Sequence, residues 1–338
     1  MDAPEDIPPL STEPVTLTVE ARAHGWRVDH YLSRLYPNYS RALFQKSIEQ
    51  QHVRLNGLPI KPARRLRVND RLTFRLPEQP DESLQPEDLP IGVLYEDDAL
   101  IVINKPADMV THPGKAHYRG TLAAALQFHF DGLSDVAGKL RPGIVHRLDR
   151  DTTGVIIIAK DNTIHNLLSG QFERREVHKE YRAIVRGTVE SNTGLIETHL
   201  RVHPKVREKM MVCEPGEKSR PAVTRYEVLE RFRGFSYMRL LPKTGRTHQL
   251  RVHMRHLGHP IVADRVYGGH AALLLKEVAP EATNASDEST LISRQALHAA
   301  RLELTHPVTN QRVAWEAPLP DDMQRTLTAL REFRKLDS

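Results

Sequence analysis

Apolar positions along this chain change their period part-way through. Between Arg27 and Ile48 they recur at helical spacing, with Val28, Tyr31, Leu32 and Leu35 on one face, then Leu43, Phe44 and Ile48 behind a capping Ser40. The stretch HVRLNG that follows predicts a short strand ending in an Asn-Gly turn. From Ile91 onward the texture is one of short apolar strands. VLYEDDALIVINKP predicts two of them around an Asp-Asp turn, and GVIIIAK, EYRAIVRG, GLIETHLRV, TRYEVLERF and SYMRLLPK predict more. Helices are fewer. NTIHNLLSGQFERRE places Ile164, Leu167, Leu168 and Phe172 on one face after a capping Asp161 or Asn162, and THQLRVHMRHLG places Leu250, Met254 and Leu257 before a stop at Gly258. Strands outnumber helices without alternating with them, which predicts an α+β domain around a mostly antiparallel mixed sheet flanked by helices and loops, not a doubly wound nucleotide fold.

The 338 residues suffice for about two domains with full cores. Punctuation suggests where they divide: an acidic, Pro-rich, disordered tail over 1–15, a small helix-and-strand module over 16–77, an acidic Pro-rich linker over 78–90, a main domain over 91–320 and a C-terminal helix over 321–338. The small, polar segment from Glu277 to Thr290 reads as a flexible insertion. Apolar runs such as Val155 to Ala159 fall far short of a membrane span, so no membrane association is expected. The N-terminus has neither a basic start nor an apolar stretch and does not read as a secretion signal. The single cysteine, Cys213, rules out an internal disulfide or a thiolate metal cage and fits the cytoplasm.

Charge sharpens the division. The formal balance of +5 conceals a segment from Arg22 to Arg75 with twelve basic and three acidic residues. Such a module is either a solvated surface or a phosphate-binding one, and its density of arginine favours the second. Arg41, Lys46, Arg64, Arg65 and Arg67 are the candidates for RNA-backbone contact. The run RVDHYLSRLYPNYSRALFQKSIEQQHVRLNG, followed by VNDRL, resembles the S-four type of RNA-binding domain.

Several kinds of site are absent from the sequence. There is no G-x-G-x-x-G and no phosphate loop, so no nucleotide cofactor is expected. Lys243-Thr244-Gly245 lacks the accompanying S-x-x-K of penicillin-binding enzymes. His248, His253, His256 and His259 lie close together, but without H-E-x-x-H or a cysteine partner, so we expect no metal. The most loaded stretch is RPGIVHRLDRDTTGVIIIAK, a polar loop set against an apolar strand. Asp151 reads as a turn former. Asp149 lies between Arg147 and Arg150, whose cations favour an ionised carboxylate able to act as nucleophile or base.

Four separated stretches closely resemble the pseudouridine synthases of the RluA type: HRLDRDTTG, HKEYRAIVRG, KTGRTHQLRVHMRHLGHPIVADRVYG and LHAARLELTHP. The resemblance implies isomerisation of uridine in RNA without metal, nucleotide or other cofactor. It makes Asp149 the catalytic aspartate, Tyr181 the tyrosine that packs against the target base and Arg251 the partner of the aspartate. Arg147 would fill the space left by the extruded base, while His146, Lys179, Arg246 and His248 would orient substrate or contact phosphate. Thr153 stands where many members carry serine, and both offer a hydroxyl. The HRLDRDTTG form and the stretch HPGKAHYRGTLAAAL most resemble members acting on large-subunit ribosomal RNA. Alternatives are the same reaction on transfer RNA, a non-catalytic RNA-binding assembly factor, or a hydrolase using Asp149 and Asp151 as paired carboxylates. A monomer is expected, since no exposed heptad or long apolar stripe demands a partner.

Overall fold

The computed structural model describes residues 14–36, 41–75, 84–113, 119–138, 140–280 and 289–336. The expected tail over 1–13, the Ser40 cap, the side chain of Leu43, residues 76–83 of the linker and 281–288 of the insertion lie outside them. The chain divides into two compact units after Glu82.

The N-terminal unit runs β1 (Val15–Thr18), α1 (Val28–Leu35), α2 (Arg41–Glu49), β2 (Val53–Leu55), β3 (Leu58–Pro59) and β4 (Arg71–Phe74). Its four strands form one antiparallel sheet in the order β1-β4-β2-β3. Asn56 and Gly57, both at positive φ (50° and 82°), make the two-residue turn between β2 and β3, as the Asn-Gly pair predicts. The helical apolar faces meet the sheet: Val28, Leu32, Phe44, Ile48, Leu72 and Phe74 form one buried cluster.

The second unit begins with β5 (Gly92–Glu96), β6 (Leu100–Lys105), α3 (Leu122–His129), β7 (Thr153–Ala159), α4 (Asn162–Glu173) and β8 (His178–Arg186). β9 (Thr193–Val202), β10 (Met210–Cys213), β11 (Arg220–Phe232) and β12 (Phe235–Pro242) follow, then α5 (Gln249–His256). Short β13 (Leu273–Leu274), α6 (Leu275–Val278) and β14 (Thr290–Ile292) lead to β15 (Leu297–Thr305), β16 (Arg312–Glu316) and α7 (Asp321–Phe333). The large sheet has the order β10-β9-β11-β12-β8-β15-β7-β6-β5, with β16 also paired to β15. Among the described residues only β15 and β7 run parallel in this sheet and its other pairings are antiparallel, so the sheet is mixed and mostly antiparallel.

Strand β7 is buried throughout because both its faces are covered. Ile156 and Ile158 pack with Leu122, Ala123 and Leu126 of α3, whereas Val155 and Ile157 pack with Ile164 and Leu168 of α4. Gly154, at φ +111°, lets β15 approach: a Cβ there would overlap the carbonyl of Ala299. No helix among the described residues is long and apolar enough to cross a membrane.

Three expectations need correction. Leu167 lies outside the apolar face of α4 and is 46% exposed, because Ile164 and Leu168 already fill the contact with β7. Residues 84–90 of the expected linker pack on the second unit: Leu84 is buried with α3, the Glu87 amide donates to the Ala124 carbonyl, and the Glu87 carboxylate accepts from the Gly120 amide. In the expected insertion, Val278 and Ala279 are buried and Glu277 pairs with Arg186, so its first residues belong to the core.

Candidate active site

The loop between Arg147 and Thr152 is immobilised by its carbonyls. Thr111 Oγ1 donates to the Leu148 carbonyl at 2.7 Å, Lys105 Nζ to that of Arg150 at 2.9 Å, and Arg294 to that of Asp151 at 3.0 Å. Lys105 is fully buried and also donates to the carbonyls of Pro106 and Met109, at 2.6 and 2.8 Å. Burial pushes its ammonium down to about 7, against the pull of Asp151 and Asp149. Arg294 is anchored in turn on Asp322 of α7, at 2.7 and 2.8 Å. None of Thr111, Lys105 and Arg294 stands out in the sequence, because each acts on backbone that is remote in the chain.

This loop faces a second one, Thr244–His248, that leads into α5. Gln249 organises it, accepting from the Thr244 hydroxyl at 2.7 Å and the Arg246 amide at 3.0 Å while its own amide donates to the Val223 carbonyl and Thr224 Oγ1. His248 takes a left-handed φ of 53° at the helix start. Between the loops lies a cleft of about 110 Å³ that opens to solvent. Asp149, Tyr181, Arg251, Arg147, Lys179, Arg246 and His248 all line it.

Asp149 Oδ2 accepts from Arg251 NH1 at 3.1 Å. The other side of the guanidinium forks onto the fully buried Asp264, at 2.7 and 2.9 Å, and Asp264 Oδ1 also accepts from the amides of Val266 and Tyr267. Burial opposes the charge of Arg251, but the two carboxylates outweigh it and hold the guanidinium firmly protonated. Tyr267 completes the support, its ring 5.1 Å from the Arg251 guanidinium carbon and its hydroxyl 2.9 Å from His248 Nδ1. His248 Nε2 lies 3.9 Å from Asp149 Oδ2, and burial lowers the tendency of His248 to protonate. Tyr181 reaches the cleft from β8, where it opposes Leu240 and Ala299. Burial, reinforced by the Asp149 charge, pushes its phenol well up, so the ring presents a neutral face.

The arginines beside Asp149 in the chain are not its partners. Arg150 pairs with Asp108, and Arg147 is exposed on the cleft wall. Asp151 contributes a backbone carbonyl and is absent from the lining, which leaves Asp149 as the acid facing this cleft among the described residues. His146 also lies outside the lining: its Nε2 accepts from the Ile157 amide at 2.9 Å and its ring stacks on Phe172, 4.7 Å between centroids. Burial, then Lys179, pushes His146 down to about 3, so it is a neutral support for the loop. The clustered histidines diverge: His253 is buried between Thr224 and Thr198, each at 2.9 Å, and His259 faces the Arg186 carbonyl.

In the N-terminal unit Arg41, Lys46, Arg64, Arg65 and Arg67 are all exposed. Arg41 is steered by Asp29, which accepts from Arg27, Arg41 and Gln45 at 2.7–3.1 Å. Burial opposes the charge of Asp29, but these donors win and hold its carboxyl well below the usual range. Arg65 donates to the Gly25 carbonyl at 2.7 Å.

Comparison with known proteins agrees with this geometry. The RNA pseudouridylate synthase family matches residues 99–256, and the S4 domain matches residues 26–72. The ribosomal large subunit pseudouridine synthase D of Pasteurella multocida is 39% identical, over 94% of this chain and 95% of its own length. The protein of that name from Escherichia coli O157:H7 is 38% identical over 94% of each chain. Among solved structures, human RNA pseudouridylate synthase domain containing 4 aligns with a TM-score of 0.55 at 26% identity, covering 73% of this chain and 95% of its own. With a cleft built on Asp149 and Arg251 and relatives matched over nearly its whole length, this chain belongs to the RNA pseudouridylate synthases.

Proposed function

We propose that this enzyme isomerises specific uridines of large-subunit ribosomal RNA to pseudouridine, with Asp149 as the catalytic carboxylate. The observation that carries the reading is the Asp149–Arg251 pair, one carboxylate held at 3.1 Å by a buried guanidinium beside Tyr181 in an open cleft. The names of the relatives support the choice of RNA.

A uridine in folded RNA reaches such a cleft only by leaving its stack, at a cost of a few kcal/mol. Backbone contacts made elsewhere offset that cost, and Arg41, Lys46, Arg64, Arg65 and Arg67 of the S4 unit supply them. Arg147, exposed on the cleft wall, fills the gap in the RNA, while Lys179, Arg246 and His248 orient the extruded nucleotide. The Tyr181 ring packs against the uracil. Asp149 then opens the bond between N1 and C1′, by attack on C1′ or by removal of the C2′ proton, and both openings require its ionised form. The freed base turns in the cleft and C5 bonds to C1′ as the Asp149 ester breaks or as C2′ regains its proton; the C5 proton then leaves while N1 takes one up, so substrate and product have the same composition. Arg251 NH1 keeps the Asp149 carboxylate paired inside the protein, since a buried unpaired carboxylate tends to neutralise itself. The reading takes RNA as the partner, a monomer as the working unit and the cytoplasm as its location.

The test is a product assay on unmodified large-subunit ribosomal RNA and on transfer RNA. Pseudouridine in the ribosomal RNA, with no free uracil, is the expected result. Release of uracil would mean hydrolysis, and product in transfer RNA alone would overturn the substrate.

A further inference from the structure

We propose that a second recess beside the catalytic cleft seats a nucleotide of the RNA that flanks the target uridine; this rests on the enzyme acting on RNA. The recess, about 370 Å³ and open to solvent, lies at the ends of β8 and β12, and Lys179 and Pro242 line both it and the cleft. An RNA strand whose uridine enters the cleft therefore passes its mouth.

Charge identifies the occupant. Arg175, His178, Lys179, Arg225 and Lys243 line the recess, and no acid does. None of the five forms an ion pair among the described residues. The neighbouring Arg182 and Arg239, by contrast, are matched with Glu180 and Glu227. Five cations converging on one recess with no acid among them are the footprint of an external anion. The floor adds a second requirement. Val177, Leu241 and Pro242 are apolar, so the recess has an apolar floor below its cationic rim. A bare phosphate would use only the rim, whereas a nucleotide uses both, its base on the floor and its phosphate among the cations.

Arg175 carries an independent mark. It follows α4 at the position where the chain turns left-handed, with φ 62°, the Arg175 amide donating to Phe172 and the Glu176 amide to Gln171. That arrangement is the Schellman stop, in which glycine fills the left-handed position at least conformational cost. An arginine there worsens the stop, and its guanidinium makes no compensating ion pair among the described residues. Its side chain is explained by the recess it lines.

That conflict between fold and binding provides the experiment. Arg175→Gly in the full-length protein should melt at the same temperature as the wild type or above it. Its dissociation constant for the large-subunit RNA should rise roughly tenfold, and the slope of log affinity against log salt should shrink by about 0.7 to 0.9 for the lost phosphate contact. Arg225→Ala with Lys243→Ala should act in the same direction. On a short RNA trimmed to the target uridine, all these proteins should bind alike. Unchanged affinity and salt slope on the long RNA would overturn the proposal. A weaker binding of the variants that persisted equally on the trimmed RNA would also overturn it, since the contact would then be to the target nucleotide. Because the readout is binding, a wild type that formed no pseudouridine would refute the proposed reaction and leave this result standing.

Discussion

Arg251 and Asp149 stand 102 positions apart in the chain, and Arg251 NH1 donates to Asp149 Oδ2 at 3.1 Å. The contact is prepared from behind: Asp264, with no solvent exposure, holds the other two guanidinium nitrogens and is itself fixed by the amides of Val266 and Tyr267. Geometry of this kind is set before substrate arrives, which is the economical way to present a charged group to a reacting bond.

The fork should matter more than the charge. Arg251→Lys retains a cation but cannot bridge two carboxylates, so kcat should fall at least about tenfold with a smaller change in RNA affinity. Asp264→Ala, which strips a partner from a buried pair, should lower stability by about 3–5 kcal/mol. Steady-state kinetics and urea unfolding of the two variants check this; an Arg251→Lys protein with full kcat would show that charge alone suffices.

Lys105 should behave as a positioning residue. Its ammonium touches no cleft surface yet donates to the carbonyls of Pro106, Met109 and Arg150, tying β6 to the Asp149 loop. Lys105→Met strips these carbonyls of their ammonium donor, leaving that of Arg150 only the Met109 amide, and should cut kcat by about tenfold while KM for RNA stays within about twofold. A rise in KM at constant kcat would instead place Lys105 in RNA binding.

How much of this was legible in the sequence follows from where the information lies. Strand β7 announces itself as GVIIIAK, and α4 by its periodicity and the Asp161 cap, whose carboxylate accepts from the Ile164 amide at 2.8 Å. Helix α3 does not, because LAAAL is apolar all round and has no face to detect. Its Thr121 cap, accepting from the Ala124 amide at 3.1 Å, is the one local signal. Asp149, Tyr181 and Arg251 are legible through their motifs, and the cleft unites them. His146 shares a motif with Asp149 but turns to the Ile157 amide, since motif membership does not say which way a side chain points. Lys105, Thr111 and Arg294 were hidden because they reach the Asp149 loop from points distant in sequence, whereas Asp264 lies within the same motif stretch as Arg251 but was not singled out there.

Acid should unfold this protein through its buried histidines. His253 and His298 are both pushed by burial to about 4 from an ordinary 6.5, and His146 to about 3. Between pH 6.5 and about 4 the unfolded chain takes up protons that the folded chain refuses, so stability is full above 6.5 and is lost as pH falls through this window. Each histidine contributes up to about 1.4 kcal/mol per pH unit. Urea unfolding at pH 7.5, 6.0 and 5.0 should show the decline, with a shallower slope in His253→Phe; a stability flat across that range would contradict the assignment of neutral, buried rings.

The most direct test of the central claim is pseudouridine mapping of large-subunit ribosomal RNA incubated with the wild type and with Asp149→Asn, which keeps the shape of the side chain and removes its charge. The account predicts modification by the wild type, a loss of at least about a hundredfold in the variant, and RNA affinity within a few-fold of normal. An Asp149→Asn protein that still formed pseudouridine at the wild-type rate would contradict it.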